Sequence, residues 1–172
     1  MESVRTRVDV QERTLEWLMT EYGDCVVRVC FLFLKDRQLA QDASQETFIK
    51  AWRALDSLRE DGAEKAWLMK IAVNTCRNMV RNRYFRMVDR SVSTDDLPEP
   101  SSVDRQEDDS LLKEVMNLPD KYRQVVVLYY YQELTAEETA QALGVPAATV
   151  RTRLKRARES LKARLEGWYF DE

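Results

Sequence analysis

The sequence predicts an all-α protein: two small helical domains joined by a flexible acidic linker, the C-terminal one a four-helix domain with a helix-turn-helix. Three observations carry this expectation. Apolar residues recur at helical spacing through residues 12–88 and again through residues 110–168. Between them, residues 89–109 hold eight acids, two arginines, two prolines and a cluster of serines, with few side chains able to anchor a core. Near the C-terminus a capped helix, a glycine and a strongly basic second helix follow one another at the spacing of a helix-turn-helix.

Composition narrows the function classes. At 172 residues the chain suffices for one domain or two small ones, and its net charge of -3 would not draw the whole molecule to nucleic acid. What matters is segregation, because basic and acidic residues occupy different stretches. The absence of histidine removes histidine bases and histidine metal ligands. Cys25, Cys30 and Cys76 lack CxxC spacing, so the reading is buried reduced thiols, with no metal site and no cofactor. No stretch approaches 18 apolar residues and the N-terminus lacks an apolar leader, so a soluble cytoplasmic protein without direct membrane insertion is expected.

In chain order, the first ten or so residues are polar and expected to fray. From Thr14 the pattern turns helical, with Leu15, Leu18, Tyr22, Val26 and Val29 on one face and Gly23 expected to bend or divide the segment. Asp36 opens a second helix with two faces. Phe48, Trp52 and Leu55 point inward, whereas Asp42, Glu46, Ile49 and Arg53, with Gln38 and Gln45 beside them, form a stripe suited to a protein interface. Residues 59–63 read as a loop.

A third helix follows, with Trp67, Leu68, Ile71, Ala72, Met79 and Val80 as its expected core face and Lys70, Asn74, Arg77, Asn78, Arg81 and Arg83 as its polar face. Residues 66–88 contain five Lys or Arg and no acid, interleaved with Trp67, Tyr84 and Phe85. Cations neutralise phosphates while rings stack on unpaired bases, so the face suits single-stranded nucleic acid. A simply amphipathic helix with Trp67 buried explains the same pattern.

The second domain opens with Leu111, Leu112, Val115 and Leu118, and Pro119 begins another helix. Thr135 and Glu138 make a capping box, Gly144 ends that helix in the left-handed conformation, and Pro146 stands where the last helix starts. In that helix Val150, Leu154, Ala157, Leu161 and Leu165 form an apolar stripe. Opposite lie Ala148, Thr152 and Lys155, flanked by Arg151 and Arg156. Seven Lys or Arg stand against one acid, Glu159, across residues 147–165. Small residues with basic flanks suit insertion into a major groove, where Arg and Lys reach phosphates or guanine edges. The tail, GWYFDE, is aromatic and reads either as docked on its own domain or as a hook for a partner.

On DASQETFIKAWRAL, WLMKIAVNTCRNMVRNR, LPDKYRQVVVLYY and LTAEETAQALGVPAATVRTRLKRARESL, in this order and with an acidic linker between the second and third, the chain resembles the extracytoplasmic function sigma factors. These are small two-domain promoter-recognition subunits of bacterial RNA polymerase. The resemblance implies partners: core RNA polymerase, gripped by Asp42, Gln45, Glu46 and Ile49, and promoter DNA. It implies that Trp67, Lys70, Asn74, Arg77, Asn78 and Arg81, with the 59–63 loop, recognise and melt the minus-ten element as single strand. Ala148, Thr149, Arg151, Thr152, Lys155 and Arg156 would read the minus-thirty-five element as duplex. It also suggests a cognate anti-sigma factor that would clamp the two domains, and induction by an envelope or environmental stress.

Two positions depart from the family pattern. Pro146 stands where a small hydroxyl residue is common, removing one hydroxyl contact, and Asn78 where an acid is frequent. The mechanism expected is binding, not catalysis. A linker of about twenty residues spans roughly 25 Å as a coil, enough for two weak DNA contacts to reinforce one another. A free-standing helix-turn-helix regulator is the alternative, and would normally read paired half-sites as a dimer.

Overall fold

The computed structural model describes the backbone of residues 2–58, 62–89 and 110–169, and side chains at 11–58, 62–84 and 110–165. It contains no strand among these residues. The chain packs as two compact units, Met1–Val92 and Ser93–Glu172. Residues 90–109 of the expected 89–109 linker, residues 59–61 of the expected 59–63 loop and the side chains of the aromatic tail lie outside the described residues, and Asp89, expected in the linker, closes α3.

Unit 1 is a bundle of α1 (Glu2–Leu34), α2 (Arg37–Ala54) and α3 (Glu64–Asp89), each packed on the other two, with a short 3-10 turn (Leu55–Ser57) after α2. Two expectations are corrected. The helix begins at Glu2, so the polar N-terminal residues extend α1 instead of fraying. Gly23 does not divide it, the helix running unbroken from Glu2 to Leu34. A mid-helix glycine costs about 1 kcal/mol, and the packing of Leu18, Val26, Val29 and Cys30, all fully buried, outweighs that. Lys35 then takes the left-handed conformation (φ 57°), its amide bonding to the Phe31 carbonyl, and ends the helix.

Asp36 caps α2 as expected, its carboxylate accepting the Leu39 amide at 2.9 Å. The buried face of α2 is largely small, comprising Ala40, Ala43, Ser44, Thr47 and Ala51 with Phe48 and Leu55, so the neighbouring helices approach closely. The core of α3 is Leu68, Met69, Ala72, Val73 and Cys76. Here the sequence pattern misled: Val80 is 56% exposed, and Trp67, Ile71 and Met79 are only half-buried on the shoulders of the helix. The Cys30 thiol of α1 is hydrogen-bonded to the Cys76 thiol of α3; that bond and burial push Cys30 well above the ordinary thiol range.

Unit 2 comprises α4 (Ser110–Met116), α5 (Asp120–Val126), a π-helical turn (Val127–Tyr131), α6 (Ala136–Leu143) and α7 (Ala147–Tyr169). Helix α7 is the hub, packing on α4, α5 and α6. Of its predicted stripe Val150, Leu154 and Ala157 are buried, and Leu161 joins a cluster with Val115, Leu118, Val126 and Tyr122. Leu111, expected in the apolar face of α4, is exposed. The capping box at Thr135 is complete in both directions, and Gly144 ends α6 at φ 65°, ψ 36°.

Arg123 is a finding the pattern did not anticipate, being only 2% exposed. Its guanidinium donates to the Leu118 carbonyl at 2.9 Å and to Asp120 Oδ1 at 2.6 Å, fastening the α4–α5 junction.

Candidate functional sites on the two units

On unit 1 the stripe along α2 is built as its spacing requires. Asp42 and Gln45 are exposed, Glu46 is half-buried, and Ile49 is 46% exposed. Gln38 Nε2 donates to Asp42 Oδ1 at 3.3 Å, and Lys50 sits 3.7 Å from Glu46 while its ammonium also reaches Thr75 Oγ1 of α3. Beside this row runs an apolar groove of about 570 Å3 between α1 and α2. Leu15, Met19, Gly23 and Val27 form one wall, and Gln45, Phe48, Ile49 and Trp52 the other. Met19, Val27 and Ile49 are each at least 40% exposed, so the row of acids borders an uncovered apolar strip. The α1 wall was missed because the sequence reading placed Leu15 on the apolar face of the helix and gave Met19 and Val27 no role.

Elsewhere on unit 1, α3 displays Lys70, Asn74, Asn78 and Arg81 as an exposed line, with Arg77 half-buried alongside. Arg81 Nη2 donates to Asn78 Oδ1 at 3.0 Å, so these two form one polar group. Tyr84, 66% exposed, extends the same face by one turn, and exposed Val80 flanks it. Trp67 lies one turn before Lys70 and Ile71, half-buried, its indole N–H donating to Ser57 Oγ at 3.0 Å. That bond ties the start of α3 to the end of the turn after α2. The middle of the intervening loop lies outside the described residues.

On unit 2 the capped α6, the left-handed Gly144 and α7 form the predicted helix-turn-helix. Ala148, Arg151, Thr152, Lys155 and Arg156 are exposed along one side of α7 and Thr149 is half-buried at its edge. The structure adds neighbours that a single-helix pattern could not supply. Lys121 and Tyr122 of α5 close one edge of α7 into a recess of about 320 Å3 lined by Ala148, Thr149, Thr152, Arg153 and Arg156. The Tyr122 hydroxyl is hydrogen-bonded to the Arg156 guanidinium, and this bond holds the phenol below its ordinary range; the Lys121 ammonium lies 5.1 Å from the ring centroid. On the other edge Arg151 Nη2 donates to Glu137 Oε1 of α6. Three cations, Lys121, Arg153 and Arg156, and the Thr149 hydroxyl surround this recess, a donor set suited to an anion, while the Thr152 hydroxyl donates to the Ala148 carbonyl at 3.0 Å.

Among the described residues no group of three or more acidic or thiol side chains is gathered to hold a metal, and no helix is long and apolar enough to cross a membrane.

Comparison with known proteins bears on both units. Residues 18–96 match the family described as Sigma-70 region 2, and residues 108–161 match Sigma-70, region 4. The chain is 32% identical to the ECF RNA polymerase sigma factor SigW of Bacillus subtilis over 158 residues, covering 84% of each protein. It is 31% identical to the RNA polymerase sigma-H factor of Pseudomonas aeruginosa over 169 residues, 90% of this chain and 88% of that one. Among solved structures, the fold is similar to the sigma factor RpoE of Bartonella quintana, determined with the anti-sigma factor NepR, at a TM-score of 0.74 and 22% identity, covering 93% of this chain and 99% of that one. CnrH, determined with the cytosolic domain of CnrY, follows at 0.63 and 24%, covering 91% and 90%.

Proposed function

Because the chain belongs to the extracytoplasmic function sigma factors of the sigma-70 family, an RNA polymerase sigma factor that binds core polymerase and promoter DNA, we propose a division of that work among the faces described above. Unit 1 docks on core polymerase through Asp42, Gln45, Glu46 and Ile49. The apolar strip beside them supplies the buried centre of the interface, and the acids supply its charged rim. The α3 face holds the minus-ten element: Lys70, Arg77 and Arg81 neutralise the strand, Asn74 and Asn78 bond to base edges, and Trp67 fixes the approach of the preceding loop. Tyr84 offers a ring for stacking where the strand leaves the duplex.

On unit 2, α7 enters the major groove of the minus-thirty-five element. Ala148 and Thr152 permit close approach, Arg151 and Lys155 face the base edges, and Thr149 and Arg156 sit toward the phosphate recess. The domain limits we assign are residues 12–88 and 110–168, with residues 89–109 as the acidic linker between them. The protein acts by binding, in the cytoplasm, and a cognate anti-sigma factor covering the same faces is part of the proposal.

The observation that carries this reading is the pairing of two faces in one chain: an acidic row beside an uncovered apolar strip on unit 1, and a basic helix-turn-helix on unit 2. Its test is transcription from purified components. Core polymerase with the full chain should yield discrete transcripts from a library of genomic fragments, and core polymerase alone should not. Equal, unselective transcription in both would sink the assignment of the faces to promoter recognition.

The recess on α7 yields a separate expectation. Lys121→Ala and Arg153→Ala should each weaken holoenzyme binding to every promoter alike, lowering the slope of log affinity against log salt by about one while leaving sequence preference intact. A change in preferred sequence in either variant would move that residue from phosphate to base contact.

A further inference from the structure

Two acids occupy the first turn of α6, Glu137 and Glu138, and they do different things. The Glu138 carboxylate accepts the Thr135 amide at 2.8 Å and completes the cap. Glu137 reaches across to α7, where its Oε1 accepts a hydrogen bond from Arg151 Nη2. Arg151 and Glu137 keep 58% and 61% of their side-chain surface. A pair that exposed contributes little to stability. Its consequence is therefore local: it fixes the place and the net charge of one guanidinium on the rim of the DNA-facing side of α7.

An unpaired arginine there binds any phosphate that comes within reach, and phosphate contacts carry no sequence information. With Glu137 attached, Arg151 contributes no net charge to the rim, and the carboxylate itself repels a phosphate brought near. A base edge is a different ligand. Guanine offers O6 and N7 as two acceptors matched to the guanidinium fork, and a fork already held by one nitrogen loses less freedom on meeting them.

We propose that Glu137 is a positioning residue for promoter specificity: it aims Arg151 at a base edge of the upstream element and suppresses that arginine's sequence-blind contact with phosphates. The proposal rests on the reading of α7 as the duplex-reading helix.

The test uses holoenzyme assembled from core polymerase and the full chain. Promoter duplexes with a randomised upstream element are sequenced before and after binding, and affinity for a duplex of random sequence is followed against salt. Wild type should enrich particular sequences. Glu137→Gln should reduce that enrichment about tenfold, the scale of losing one bidentate base contact. It should also strengthen binding to the random duplex and steepen its salt slope by about one. The Thr135–Glu138 cap is untouched by the change, so a loss of folding does not enter.

In an Arg151→Ala background the same replacement should leave enrichment unaltered, because the two side chains act as a unit. Equal enrichment in wild type and Glu137→Gln overturns the proposal. So does the same loss in both backgrounds, which would mean that Glu137 acts on DNA independently of Arg151. No enrichment by wild type at all would overturn the reading of α7 itself, a result recognisably different from either.

Discussion

Asp42→Lys combined with Glu46→Lys should lower affinity for core RNA polymerase by about a hundredfold or more while leaving the helix content of the chain unchanged. The two halves of that expectation come from different observations. Asp42 is exposed and Glu46 half-buried, and the double replacement removes a surface ion pair with Lys50 and a long hydrogen bond from Gln38. Such interactions are worth roughly 0 to 1 kcal/mol, too little to unfold a bundle whose core lies on the opposite side of α2. At an interface the same change reverses two charges next to a buried apolar strip, and like charges placed against a partner cost several kcal/mol. At about 1.4 kcal/mol per factor of ten, that is two decades or more. The measurement is titration of labelled protein with core polymerase at moderate salt, beside circular dichroism of both proteins. Unchanged affinity in a well-folded double variant would remove this face from the polymerase interface.

Arg123→Ala should lower the stability of unit 2 by about 2 to 4 kcal/mol, with no effect on unit 1. The loss has two sources: the charged hydrogen bond to the Leu118 carbonyl, worth about 1.5 to 3 kcal/mol, and the packing of the arginine stem within a side chain only 2% exposed. Asp120 remains largely in water, with 78% of its side chain accessible, so its carboxylate is not stranded by the change. In a domain of about sixty residues each kcal/mol moves the melting temperature by about 4 to 8 °C. A drop of about 10 °C or more in the transition assigned to unit 2 is expected, with hydrogen exchange locating the loss to α4, α5 and α7. A shift within about 2 °C would show that the junction is held by its apolar packing alone.

How much of this was legible in the sequence depends on which force set each feature. Caps were readable because their chemistry is local: Asp36, Thr135, Glu138 and Gly144 each act within four residues of themselves. The exposed faces of α2, α3 and α7 were readable because charge and periodicity agree there. The core side of α3 was legible only in part. Leu68 and Ala72 are buried as read, but Met69, Val73 and Cys76 complete the packed face while Trp67, Ile71 and Met79 sit on the shoulders and Val80 is exposed. Apolar residues stand on nearly every side of this helix, so the periodicity alone did not pick out the packed face.

Arg123 was unreadable for the opposite reason, since a charged residue in PDKYRQV reads as solvent-facing. The available signal was Asp120 three residues earlier, just inside a helix that starts after Pro119. Lys121, Tyr122 and Glu137 join the α7 face only through tertiary packing, so no single-helix wheel could include them. The π-helical turn at Val127–Tyr131 has no sequence rule that would have announced it.

The buried hydrogen bond between the Cys30 and Cys76 thiols makes the chain its own stopwatch. Both thiols are inaccessible to a modifying reagent until the three-helix unit opens, and Cys25, only partly buried, reacts without waiting for that event. Unit 2 contains no cysteine. The slow phase of thiol modification in the intact protein therefore clocks the opening of one unit alone, and the slowing of that clock on adding core polymerase or DNA gives the free energy with which each partner holds that unit shut.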